Sequence, residues 1–308
     1  MRQHLAVTII GAGRVGSVLG RVLAEEGVRV LGVLSRTRRS ARTAARFIGA
    51  RVASDRLADL PPKTSLVFIA TPHDAIADVA RELASLPGLD ARRLAVCHAS
   101  GMHTAAVLEP LRAAGATVFS FHPLQTFPRD FHPREILPTA RGIVYGVDGD
   151  RRGVAAARRL ARALRGRVVL VPPGQRELYH AACVVASNHL TTVLAVVESM
   201  AACCGIPEGV ARRAFSPILQ ASLANARRTS PAAALSGPIA RGGIATVAAH
   251  LEAVRREIPG LLPYYVAVSA ETVRLALRKG SITGAQAAAL QELLMTFQPS
   301  PTQNTRTP

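Results

Sequence analysis

Three groups of polar side chains stand out where the surrounding residues are mostly apolar and a functional group needs a partner. The first is His122 in FSFHPLQTF (119–127), an imidazole between aromatics with Gln125 and Thr126 just beyond it. Such a histidine either bonds a backbone group in the core or faces a cofactor or substrate, and both readings stand. A metal centre is not expected, because zinc takes three or four ligands and no metal-type spacing links His98, His103 and His122. The second group is RELYHAACVVASNHL (176–190), where eight residues separate His180 from Asn188, a little over two helical turns, which would put both on one face. The third, ALSGPIARGGIATVAAHLEA (234–253), sets Ser236 and Arg241 among helix-breaking glycines, and an arginine there could grip a carboxylate in two-pronged fashion.

A phosphate-binding turn lies near the start. VTIIGAGRVGSVLGRVLAEEG (7–27) places Gly11, Gly13 and Gly16 in G-x-G-x-x-G register, between an apolar strand and a helix. Gly11 would permit the tight turn, Gly13 the approach of a pyrophosphate, and Gly16 close helix packing, with Ala12, Arg14 and Val15 completing the loop. About twenty residues on, where an acid would hold the ribose hydroxyls of NAD, the chain reads GVLSRTRRSAR (32–42) and has no carboxylate. Ser35, Arg36 and Arg39 suit a 2′-phosphate instead, so NADP(H) is the expected cofactor. Ala70, Thr71 and Pro72 in FIATPHDAI (68–76) should lie along it, with His73 read as a surface or helix-cap neighbour.

The elements that must position these groups can be read from periodicity. Short β-branched runs alternate with alanine-rich helical stretches over residues 5–171: LAVTII, VRVLGVL, SLVFIA, RLAVCHA, ATVFSF, GIVYGV and RVVLV. The expectation is an α/β fold, a Rossmann-type doubly wound parallel sheet, followed by an all-α C-terminal domain. The expected boundaries are 1–171, 172–297 and a disordered tail over 298–308. Strand ends carry ligands in such sheets, which places Ser100 and Gly101 in CHASGMHT (97–104), with His122 and Gln125, around the reacting end of a cofactor.

The chain has 308 residues, 49% of them hydrophobic, with mean hydropathy +0.22, ample for a core in each half. No apolar run is read as reaching the roughly 20 residues a membrane helix needs, and no leader is recognised, so a cytoplasmic protein without a membrane partner is expected. Cys97, Cys183, Cys203 and Cys204 lack metal spacing, and reduced, mostly buried thiols are expected. The net charge of +18 is spread as arginine through alanine-rich helices, and aromatics make up 4% with no tryptophan, so no specific nucleic-acid partner is expected.

SFHPLQTF, YHAACVVASNHL and LSGPIARGGIATVAAHL resemble the signatures of a family that joins a Rossmann-like domain to a C-terminal domain of unknown function, described as candidate NADP oxidoreductases. The similarity covers about residues 5–295. The architecture is also similar to that of ketopantoate reductase, pyrroline-5-carboxylate reductase and the β-hydroxyacid dehydrogenases, which implies a homodimer through the helical domain. Ketopantoate reductases carry a lysine followed at four and eight residues by asparagine, then Leu-Thr. In that register this chain has His180, Val184 and Asn188, with Leu190 and Thr191 beyond. The resemblance implies NADPH-dependent reduction of a small 2-oxo acid such as ketopantoate. His180 would then be the acid, Asn188 and Ser100 positioning groups, and His122 a pocket residue. A cyclic-imine reductase and a non-catalytic NADPH-binding regulator are the alternatives.

Overall fold

In a computed structural model that describes residues 5–298, the apolar runs of the first half form strands with buried side chains. These are β1 (Ala6–Ile10), β2 (Arg29–Leu34), β3 (Val52–Ser54), β4 (Leu66–Ile69), β5 (Ala95–His98) and β6 (Thr117–Ser120). All pair in parallel, in the order β3-β2-β1-β4-β5-β6. Alternate side chains enter opposite layers: Leu66 and Phe68 join one core, Val67 and Ile69 the other. Helices α1 (Arg14–Glu25) and α2 (Arg38–Ile48) cover the first face, and α3 (Ile76–Ala84) and α4 (Glu109–Ala113) the second. The short α5 (Pro133–Ile136) and the longer α6 (Arg151–Ala163) complete the first face. This is the expected doubly wound sheet.

One part of the strand reading needs correction. GIVYGV and RVVLV do not extend the main sheet; they are β8 (Val144–Val147) and β9 (Arg167–Leu170) of a separate three-stranded sheet, begun by β7 (His122–Pro123). β7 runs antiparallel to β8, while β9 is parallel to it. The cause lies at residue 123: a proline has no N–H to extend a ladder, and the chain turns onto β8 so that His122 pairs with Gly146. β3 and β7 are too short, at three and two residues, to show a period.

The chain divides into two compact units, residues 1–187 and 188–308. The first extends past residue 171 to include α7 (Arg176–Val184), because Arg176 is fully buried against residues of the sheet ends. In the second unit, α8 (Leu190–Cys203), α9 (Glu208–Arg228), α10 (Pro231–Ala234), α11 (Ile244–Glu257), α12 (Leu262–Lys279) and α13 (Gly284–Thr296) follow in turn. Its core is built by α11, α12 and α13 around Leu251, Val273 and Leu290. By contrast α8 buries only Ala201 and α9 only Ala211. The expected tail falls, from residue 299 onward, outside the described residues.

Two expectations about composition change. The helical stretch Pro173–Cys203 is 31 residues long, and its most apolar 18-residue window averages 1.5 in hydropathy with none of it buried, so by length and composition it could cross a bilayer. Scattered Ser, Asn and His interrupt every unbroken apolar run there, but the average tolerates them among Ala, Val and Leu. The cysteines are all free, yet only Cys97 is buried; Cys203 and Cys204 are exposed.

Candidate active site

The glycine turn has the shape its sequence implies. Gly11 adopts φ +113°, and a Cβ there would lie 2.5 Å from the Ala70 carbonyl oxygen, so the loop after β4 passes directly beneath it. A Cβ at Gly16 would lie 2.2 Å from the Gly11 oxygen, whereas one at Gly13 would meet nothing within 4 Å. The first and third glycines are therefore packing requirements, and the second leaves an open approach. Gly13 caps α1 without a side-chain hydrogen bond, and the first turn has no acid, so its amides remain available to an anion.

A cavity of about 660 Å³ opens here, lined by Gly11, Ala12, Gly13, Ser35, Arg36, Ala70, Thr71 and Pro72 among others. The Thr71 hydroxyl, buried at its oxygen, has no hydrogen-bond partner among the described residues. An unpaired buried hydroxyl, open amides and an arginine at the end of β2 together fit a phosphorylated dinucleotide. Three expected residues are not among those lining the cavity, although Arg14 and Val15 open α1 and contribute its first amides. Arg39, the second residue of α2, is exposed and does not line the cavity. The Arg14 guanidinium donates to the Arg129 carbonyl at 2.5 Å, which ties the loop to the 129 region. Val15 packs against the core.

The loop that lines this cavity with Thr71 and Pro72 continues into His73, whose Nδ1 is 2.8 Å from the Ser100 Oγ. That oxygen also accepts the Met102 and His103 amides at 3.2 and 3.1 Å, so its own proton goes to His73. His73 stacks on His103 with ring centres 3.8 Å apart. It is an exposed residue that opens a short helical turn, as the sequence suggested, and it is also a partner of Ser100. His98 is structural: Nδ1 accepts the Ser100 amide at 3.2 Å and Nε2 donates to the Thr104 carbonyl at 3.0 Å. Burial holds its pKa down to about 3.

His122 occupies β7, and its Nδ1 is 2.8 Å from the Tyr179 hydroxyl on α7. The contact depends on a missing side chain, since a Cβ at Gly146 on β8 would lie 2.1 Å from the Tyr179 oxygen. Burial, then the nearby charges of Arg176 and His180, lowers the His122 pKa to about 4, and burial pushes the Tyr179 phenol above its ordinary value. Both groups are therefore neutral at pH 7. On the other side of the ring, a Cβ at Gly101 would lie 3.0 Å from His122 Nε2 and 3.1 Å from His180 Nε2. Two ring nitrogens from two elements thus converge on one buried glycine.

Beneath them is a charged anchor that sequence reasoning missed. Arg176 is fully buried, with Nη2 donating to the Ser100 carbonyl at 3.0 Å and Nη1 3.2 Å from Asp148 Oδ2. Its guanidinium carbon sits 5.3 Å from the Tyr179 ring centre. Asp148 in turn accepts the Ala105 amide at 2.6 Å and the Ser120 hydroxyl at 2.7 Å. The available signal was an arginine opening a helix next to an otherwise apolar strand end, VYGVD (144–148).

Gln125 donates to the Thr139 carbonyl at 2.7 Å and accepts the Thr126 amide at 2.8 Å, which closes a loop and leaves its side chain committed. Ser236, Arg241 and Asn188 are exposed residues of the second unit. The α-helical register used to place His180 and Asn188 on one face does not persist, because residues Val185–His189 form a π turn.

Comparison with known proteins places this geometry. No curated protein sequence matches the chain. Among solved structures, protein TM1727 from Thermotoga maritima is similar with a TM-score of 0.70 at 20% identity, covering 89% of this chain and 99% of that one. A candidate NADP oxidoreductase from Bacteroides fragilis, BF3122, gives 0.67 at 21%, covering 87% and 97%. The reductive aminase from Aspergillus terreus, in complex with NADPH and ethyl-5-oxohexanoate, gives 0.59 at 16%, covering 96% and 93%. These likenesses describe a shared fold. By sequence, residues 1–123 match the family described as Rossmann-like domain and residues 143–272 the family described as Domain of unknown function (DUF2520), so the chain joins one region similar to each.

Proposed function

We propose that the protein is an NADPH-dependent oxidoreductase that reduces a small carbonyl or imine substrate, with a ketopantoate-like 2-oxo acid as the first substrate to test. The observation that carries this reading is the convergence of His122 Nε2 and His180 Nε2 on Gly101, next to the loop that also lines the glycine cavity. Gly11, Gly13, Ser35, Arg36 and Thr71 would hold the dinucleotide, which when bound supplies a hydride.

The protein's share is to orient and protonate. Tyr179, kept as a phenol by burial, donates to His122 Nδ1 and fixes the tautomer with a proton on Nε2. Neutral His122 then serves as a hydrogen-bond donor to the substrate oxygen or nitrogen. His180 delivers the proton that this atom acquires as the neighbouring carbon gains hydride. Ser100, held by His73 and two amides, shapes the floor of the site. Asn188 remains a proposed positioning group.

Substrate class is decided by turnover. NADPH oxidation should be measured against 2-oxo acids and cyclic imines, for wild type, His180→Ala, His122→Ala and Asn188→Ala. His180→Ala should lower kcat by roughly 10²-fold or more with oxo acids and leave NADPH affinity unchanged. With an iminium already protonated in solution, the loss should be much smaller. Tight NADPH binding without turnover of any substrate would favour a non-catalytic nucleotide-binding protein.

Two further features belong to this reading. The exposed apolar surface of α8 and α9 supports a homodimer through the helical domain. Four free thiols, two of them exposed, suit the reducing cytoplasm.

A further inference from the structure

At the opposite end of the parallel sheet from the glycine turn lies a second cavity, of about 1050 Å³. It is lined by the residues at or just before the starts of the strands: Leu5, Arg29, Leu66, Ala95 and Thr117 precede or open β1, β2, β4, β5 and β6. Six cationic side chains converge on it: Arg29, Lys63, Arg92, Arg93, Arg152 and Arg159. They come from four separate places along the chain, with two of the six on α6, so no single arginine-rich helix accounts for the cluster. Six cations among sixteen lining residues is a roughly threefold enrichment over 38 Lys and Arg in 308, and no Asp or Glu lines the cavity. Arg93 has an ion pair with Asp90 at 2.9 Å, beside the cavity. The Arg92 stem lies over Gly115, where a Cβ would meet its Cγ at 2.8 Å.

A concave surface lined by one sign of charge focuses potential and collects counter-ions. No aromatic side chain lines it, so stacking on a nucleobase has no platform. The cations surround one cavity instead of forming a track, which suits a compact anion with several charges. We propose that this basin binds a small polyphosphate anion, through a site separate from the dinucleotide cavity and recognising condensed phosphate groups without a base. Thr117 also lines the cavity, whereas the Thr64 and Ser65 hydroxyls are engaged with Thr8, Pro61 and Ala6.

The test is calorimetric titration of inorganic tripolyphosphate into the full-length protein at about 50 mM salt, where phosphate binding is strong. The expected result is one bound molecule, with an affinity that falls linearly in log salt. Lys63→Ser/Arg152→Ser should weaken binding by about tenfold or more, with an unchanged melting temperature since both side chains are exposed. Arg36→Ser, in the dinucleotide cavity, should leave tripolyphosphate affinity within about twofold. The proposal is overturned if the double variant binds like wild type, if Arg36→Ser loses as much as the double variant, or if single-stranded DNA displaces tripolyphosphate at a lower phosphate concentration. None of these readouts requires turnover, so a failure here leaves the reductase reading untouched.

Discussion

Burial keeps the His122 and His98 rings neutral, and that has a measurable cost at low pH. Folding lowers the His122 pKa to about 4 and that of His98 to about 3, in both cases chiefly through burial. The unfolded chain therefore binds more protons than the folded one between roughly pH 4 and 6.5, so stability rises with pH across that window and is lost as pH falls through it. Each histidine contributes a slope of up to about 1.4 kcal/mol per pH unit. Unfolding at pH 5.5 should take up about two protons from this pair, measurable from the pH dependence of urea midpoints. An uptake well below one would mean that neither ring is held neutral. Gly146→Ala tests the geometry directly. The added methyl would collide with the Tyr179 oxygen, so kcat should fall by about tenfold or more through loss of tautomer control, while NADPH affinity stays the same; an unchanged kcat would remove Tyr179 from the mechanism. The glycine turn was legible because its residue types leave few alternatives, whereas for His122 the sequence left a core and a site reading open. Gly146 was not legible, since its need appears only when Tyr179 arrives from another element.

At the scale of elements, α7 is held by one buried charge. Arg176 links the carbonyl of Ser100, after β5, to Asp148, after β8, and its guanidinium faces Tyr179 one turn along α7. Removing the cation alone would strand the Asp148 carboxylate in a buried site, a change that costs about 3–5 kcal/mol. Arg176→Met should therefore destabilise the protein by about that amount, and Arg176→Met/Asp148→Asn should recover a substantial part. Equal destabilisation in the single and double variants, by urea unfolding, would show that the pair is uncoupled. The periodic strands and the five long helical segments of the second half were readable because each repeats an apolar pattern over several turns. The two-residue β7, the separate small sheet and the π turn at Val185–His189 were not, because tertiary pairing decides them. The spacing of His180 and Asn188 was read on an α-helical count, and the π turn between them changes that count.

Across the whole molecule, apolar surface remains to be covered. Leu190 and Leu194 on α8, with Val210, Ile218 and Leu223 on α9, are exposed, and α8 and α9 bury one residue each. Surface of this kind releases about 25 cal/mol per Å² when removed from water, and patches of it on adjacent helices mark an interface or a membrane contact. The proposed occupant is a second copy of the chain. The same helical stretch carries Tyr179, His180 and Asn188, polar groups unsuited to hydrocarbon, and α8 is joined to α9 by the Glu198–Arg212 ion pair at 2.6 Å. Its net charge of +18 opposes self-association at low ionic strength, so the dimer should tighten as salt is added. Sedimentation equilibrium without detergent should give twice 32.5 kDa, and Ile218→Lys/Leu223→Lys, at positions 63% and 54% exposed, should give the monomer with its helical content intact. A wild-type monomer at all salt concentrations would sink the dimer, and flotation of the protein with neutral lipid vesicles would assign the apolar face to a bilayer instead.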